Sequence, residues 1–294
     1  MTKDVTYWVT RRAIERGSAF RGLNTAVEAT TLNERSMGRL LPQDRFLRDN
    51  VGPEDIVVVS VGGNDIAMAP APCTICNILC LVCCVPSCCV EKGFGCCAPV
   101  CPLPCDDPCC GCCCSCASTL GACPPCAGYF LHVFKVRLEK YVRAIVGKRK
   151  PRKVLISMIY YPDEVSRGSW ADTALSALGY NSPSGAAKLQ LLIRRIFEMA
   201  VSQVTVPGTE VVPLPLFEAL DGKDPRDYEQ RVEPSAAGGA KMADLILDYA
   251  LGDTGARGGR EGGGGGGGGG GGVGGTGCGG GCGGGGGGEN AKRM

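Results

Sequence analysis

Nineteen of the chain's 21 cysteines fall within residues 73–126, and glycine runs unbroken from 262 to 272 inside a tail, 258–288, that holds little else. Neither stretch supplies the mixed apolar volume that an ordinary core needs. Setting both aside leaves roughly 200 residues, enough for one domain with a sizeable core. The expected organisation is therefore a domain built from residues 1–72 and 127–252, a cysteine-rich insertion over 73–126, and a glycine-rich, disordered tail over 253–294. Acids and bases nearly balance, with a net charge of +2 and no basic stripe, which argues against nucleic acid as a partner. The first 17 residues carry scattered charges and lead into no apolar run. That pattern predicts no secretory signal and a cytoplasmic protein, in which a disulfide framework is the less natural use of many cysteines.

Within the domain, hydrophobic periodicity alternates between two kinds of segment. Residues 55–62, Asp-Ile-Val-Val-Val-Ser-Val-Gly, form a β-branched run closed by glycine, the pattern of a strand buried on both faces of a parallel sheet. Ser60 is expected inside that strand as a buried, hydrogen-bonded hydroxyl. A second such run spans 153–161. A third, 210–216, carries two prolines and belongs near a sheet edge. Residues 20–27 are a further candidate strand. Helical spacing marks 5–15, 36–50 with a restart at Pro42, 130–145, 185–204 and 235–251. On the fourth of these Leu189, Leu192, Ile193 and Ile196 share a face. Phe130, Phe134, Leu138, Val142 and Ile145 line one side of the 130–145 helix. His132, the only histidine, falls on its polar side with Lys135, Glu139 and Arg143 and is expected in solvent. Strands alternating with helices predict an open, mostly parallel sheet covered on both faces. The site of such a fold lies beyond the carboxyl ends of the strands.

At those ends the sequence resembles the SGNH (GDSL-type) ester hydrolases. Val-Ser-Val-Gly62-Gly63-Asn64-Asp65 is similar to the family's third block, Gly-x-Asn-Asp. Residues 232–243, from Val232-Glu233-Pro234-Ser235 through Gly238-Gly239 to Ala243, resemble its last block, Asp-x-x-His-Pro-Ser followed by a small-residue helix. The resemblance implies a three-layer α/β/α, flavodoxin-like fold with a mostly parallel sheet, here missing its first strand. It also implies hydrolysis of small carboxylic esters, with no cofactor in the hydrolase-like domain. Asn64 takes the position of the oxyanion asparagine, and Gly62 that of the glycine allowing close approach. Asp65 takes a turn-holding position. Glu233 stands where the catalytic histidine is expected, and Gln230 where its orienting aspartate is expected. Asn24 to Thr31 is a blurred second block. No Gly-Asp-Ser occurs, so the nucleophile block is absent and the family chemistry is expected to be impaired. Ser235 reads as a helix N-cap, and Glu233 before Pro234 as an acid favourable to the following helix dipole. Asp65, Asp163, Glu164, Asp227 and Glu233 together offer an alternative, a hard divalent cation such as Mg²⁺.

The cysteine stretch supplies a reading from another class. Cys73-x-x-Cys76 and Cys123-x-x-Cys126 have the spacing of zinc ligands, although cysteine is dense enough there to produce such spacing by composition alone. Residues 66–90 run 25 positions without a charge, and proline interrupts them, which favours a weak, acylated membrane contact over a span. On this reading the chain is a non-catalytic metal-binding or membrane-associating protein. Oligomeric state has no signature in the sequence.

Overall fold

The computed structural model describes residues 3–67, 72–93 and 127–252. Helices are α1 (Val5–Glu15), α2 (Pro42–Asn50), α3 (Gly63–Ala67), α4 (Pro72–Leu79) and α5 (Ser87–Gly93). They continue with α6 (Ala127–Leu131), α7 (Leu138–Val146), α8 (Asp172–Ala177), α9 (Pro183–Met199) and α10 (Ala236–Leu251). Two π segments extend helices: Cys80–Cys84 follows α4, and His132–Arg137 joins α6 to α7. Strands β1 (Ile56–Val59), β2 (Lys153–Met158) and β3 (Val211–Pro215) form a parallel sheet in the order β1-β2-β3. A short antiparallel pair, β4 (Tyr228–Gln230) with β5 (Glu233–Pro234), stands apart from it. The protein is thus mixed α/β around a small parallel sheet.

Side-chain alternation explains why the middle strand is apolar at four of its six positions, 154–156 and 158. Val154, Ile156 and Met158 of β2 enter the larger buried cluster, with Val142 and Ile145 of α7 and Leu192, Ile193 and Ile196 of α9. Leu155 enters a second cluster with Leu214, Leu216 and Met242, Leu245 and Ile246 of α10. These four side chains find apolar neighbours because helices supply them on either side, while Ser157 donates to the Val59 carbonyl and Lys153 to the Tyr249 carbonyl. The prolines of β3 are tolerated because β3 is an edge strand, as its sequence predicts.

Three local expectations are corrected. Residues 20–27 form no strand: Gly22 N–H donates to Thr10 Oγ1 at 2.9 Å and Asn24 Nδ2 to Asp4 at 2.9 Å. The segment spends these donors on the side of α1 and leaves Leu23 and Val27 exposed. Ser60 is exposed, and so is Val58 two residues before it, because one face of β1 is open to solvent and the strand is not buried on both faces as its composition predicts. His132 is buried at 4 % exposure. The polar rhythm of 135, 139 and 143 describes only the later half of its helix, while residues 127–134 are buried on every side. Residues 72–93, placed by composition largely in an insertion, are helical, and Leu81, Val82, Val85 and Val90 join the cluster that holds Val57 and Val59.

Candidate active site

The chain leaves β1 through Val61 into Gly62, whose φ of +95° is open to glycine but strained for any side chain. A Cβ there would also lie 2.7 Å from Phe134 Cε1, so the ring presses directly on the turn. α3 begins immediately afterwards and carries Asn64 and Asp65. Asn64 Nδ2 donates to the Thr30 carbonyl at 3.1 Å. That spends one of its two amide hydrogens on the segment read as the second block. Asp65 is 2 % exposed and accepts from Leu32 N–H at 2.8 Å and Asn33 N–H at 2.9 Å. Burial holds its carboxyl above the usual carboxylate range, opposed by those two amides and by the charge of Arg137. Asp65 ties the start of α3 to residues 32 and 33.

The partner segment, 30–35, is itself pinned. Arg35, with 4 % of its side chain exposed, pairs through Nε with Asp44 Oδ2 at 2.9 Å and donates through Nη1 to the Thr31 carbonyl at 2.7 Å. Its guanidinium lies 5.2 Å from the Tyr141 ring centre, and Tyr141 donates to Asp44 Oδ1 at 2.9 Å. A buried ion pair with all these bonds made therefore sets where the Thr30 carbonyl meets Asn64.

The second turn lies at the same end of the sheet. Tyr160, two residues past β2, donates to the Val232 carbonyl at 2.6 Å, and Asp163 N–H donates to the Arg231 carbonyl at 2.7 Å. Burial raises the Tyr160 hydroxyl's pKa, and the charge of Glu233 adds to the effect, so the hydroxyl stays a donor. Because β1 and β2 are parallel neighbours, the Asn64 turn follows one carboxyl end and the 231–233 turn is bonded to the segment that follows the next. Gln230 and Glu233 face each other across the β4–β5 pair, so the two positions aligned with the family's aspartate and histidine are brought together. Both are exposed. Glu233 accepts from Trp170 Nε1 at 2.9 Å. Ser235 caps α10, accepting from Ala237 and Gly238 N–H.

Arg231, which the sequence did not single out, organises this turn. Its side chain is fully buried, and it bonds Asp172 Oδ1 at 3.0 Å, Asn181 Oδ1 at 2.9 Å and the Asp163 carbonyl at 3.0 Å. Its φ is +20°, a conformation that the surrounding bonds impose on a non-glycine residue. Every partner lies more than 40 residues away in the chain, so no local pattern announces it. Trp170 and the Thr30 carbonyl escape sequence reading for the same reason.

The candidate cation ligands disperse. Asp65 serves Leu32 and Asn33, Asp163 accepts from Val165 N–H at 2.9 Å, and Glu164 from Gln190 at 2.8 Å. Asp227 pairs with Lys241 at 2.6 Å and Glu233 with Trp170. Among the described residues no three His, Cys, Asp or Glu side chains gather to hold a metal. Cys76 is exposed on α4, Cys73 stands on the same helix, and Cys123 and Cys126 lie outside the described residues. No helix among the described residues is long and apolar enough to cross a membrane. No family model matches the chain, and neither does any curated protein or solved structure.

Chemically, the site offers a half-buried amide donor beside a glycine turn. The residues aligned with base and orienter are an exposed carboxylate and an exposed amide.

Proposed function

We propose that the chain is a divergent SGNH-hydrolase-like domain, a three-layer α/β/α sandwich that binds small acyl esters beyond the carboxyl ends of its strands and hydrolyses them slowly. The observation that carries this reading is the turn in which left-handed Gly62 leads β1 into Asn64, with one amide hydrogen fixed on Thr30. The remaining amide hydrogen then serves a carbonyl oxygen as it gains charge. Glu233 and Gln230 supply neither the histidine nor the aspartate of the intact relatives, and the chain lacks their Gly-Asp-Ser, so acceleration is limited to binding and oxyanion stabilisation. The domain needs no cofactor for this.

The test is hydrolysis of p-nitrophenyl acetate by the full chain. The expected rate exceeds the uncatalysed rate by about 10³–10⁴, and Asn64→Ala lowers it by about 10². Equal rates for the two proteins, or turnover at the level of an intact serine hydrolase, would overturn the reading.

A further inference from the structure

Helix α4 and the π segment after it form one continuous helical run that is amphipathic in an unusual way. Thr74, Asn77, Leu81 and Val82, with Val85 just past the run, are buried, Ile78 packs against the same core, and Lys188 donates to the Val82 carbonyl. The opposite face of a helix with such a stripe ordinarily carries charge. Here it carries thiols: Cys76, Cys83 and Cys84 are exposed, Cys80 is partly so, and all four are free. Residues 66–90 contain no charged side chain to compete for a ligand or pair with a thiolate.

The helix geometry stacks three of these thiols. A step of four residues overshoots one α turn by about 40°, which sets Cys80 above and to one side of Cys76. The wider π turn needs more than four residues, so the step from Cys80 to Cys84 falls short of a full turn and swings back. Cys76, Cys80 and Cys84 therefore run in a column, with neighbouring Cβ atoms about 5–6 Å apart. Two thiolates at that spacing suit a cation held in a line between them. A tetrahedral zinc set needs four ligands, and no three converge among the described residues.

We propose that this face is a binding site for a thiophilic, closed-shell cation of the Cu(I) class, held between Cys80 and Cys76 or Cys84. Binding converts two thiols and M⁺ into [M(SR)₂]⁻ and releases two protons. The choice of a soft cation follows from the ligands, because thiolate sulfur selects Cu(I) over the hard ions that carboxylates take. The proposal stands independently of the ester-binding reading.

The full chain, reduced and titrated with Cu(I) to saturation, is alkylated with N-ethylmaleimide and read cysteine by cysteine by peptide mass spectrometry. The expected result is alkylation of Cys80 slowed about tenfold or more, together with Cys76 or Cys84, as metal takes up the reactive thiolates. Cys80→Ser returns Cys76 and Cys84 to their metal-free rates, whereas Cys88→Ser leaves the protection intact. Unchanged rates at all three cysteines at saturation would overturn the proposal. So would protection that survives Cys80→Ser, or equal protection by Zn²⁺.

Discussion

The two turns at the carboxyl end of the sheet each lean on one buried arginine, yet they are built for different ends. At the first, Arg35 fixes the segment whose Thr30 carbonyl engages Asn64, and buried Asp65 ties that segment to α3. Its polar groups converge on the amide. At the second, Arg231 gathers Asp172, Asn181 and the Asp163 carbonyl beneath the turn, while Glu233 and Gln230 point to solvent. Its polar groups converge on the scaffold instead. The difference teaches that two turns at one end of a sheet can be held by the same device, a buried arginine bonded behind the turn, while only one of them engages a half-buried side-chain amide.

Arg35→Met breaks this comparison most severely. It leaves Asp44 buried without its partner, at a cost of about 3–5 kcal/mol in denaturant unfolding. In protein that remains folded, it lowers ester hydrolysis as Asn64→Ala does. Arg231→Met costs somewhat less, about 3 kcal/mol, since Asp172 keeps partial access to water; hydrolysis stays unchanged. An equal loss of activity in both variants would erase the distinction between the turns. Asp65→Asn costs about 1–3 kcal/mol, because one backbone N–H then faces an amide donor. Its pH dependence has a definite sign. Burial raises the folded-state pKa of Asp65, so the ionised carboxylate penalises the folded protein at neutral pH, and the penalty disappears once both states are protonated. Denaturation at pH 7 and pH 4.5 should therefore show the wild type gaining on Asp65→Asn in acid, and a narrowing gap would reverse the assignment. Glu233→Gln is the mildest change. It keeps an acceptor for Trp170 and should shift stability by less than about 0.5 kcal/mol, with ester hydrolysis unaltered.

The parts of this architecture written in local periodicity were legible. β1, β2 and β3 appear where β-branched runs were read, and Ser235 caps the last helix as its position before Ala236-Ala237 predicts. Gly62 and Asn64 fall at the carboxyl end of the sheet because they directly follow β1, and the turn before Glu233 is drawn there by the Tyr160–Val232 bond. What stayed hidden depends on distant partners. Arg231 looks like any polar loop residue until Asp172 and Asn181 close around it. Residues 20–27 have strand composition, but side chains of α1 claim their donors. His132 was misplaced because one helical period was carried across a π segment that does not keep it.

That π segment has an arithmetic consequence. It holds one residue more than an α-helix of the same span would use, so the halves on either side, Ala127–Leu131 and Leu138–Val146, are out of phase with a single regular spiral. Rewinding the same residues as a regular α-helix, with none deleted, would rotate one half by about 100° against the other. Tyr129, Phe130 and Ile145 could not then all keep their present neighbours, and the ring that now abuts Gly62 would swing away. A change invisible to composition would thus unseat the turn at Gly62 and Asn64 from behind, without touching any residue in it.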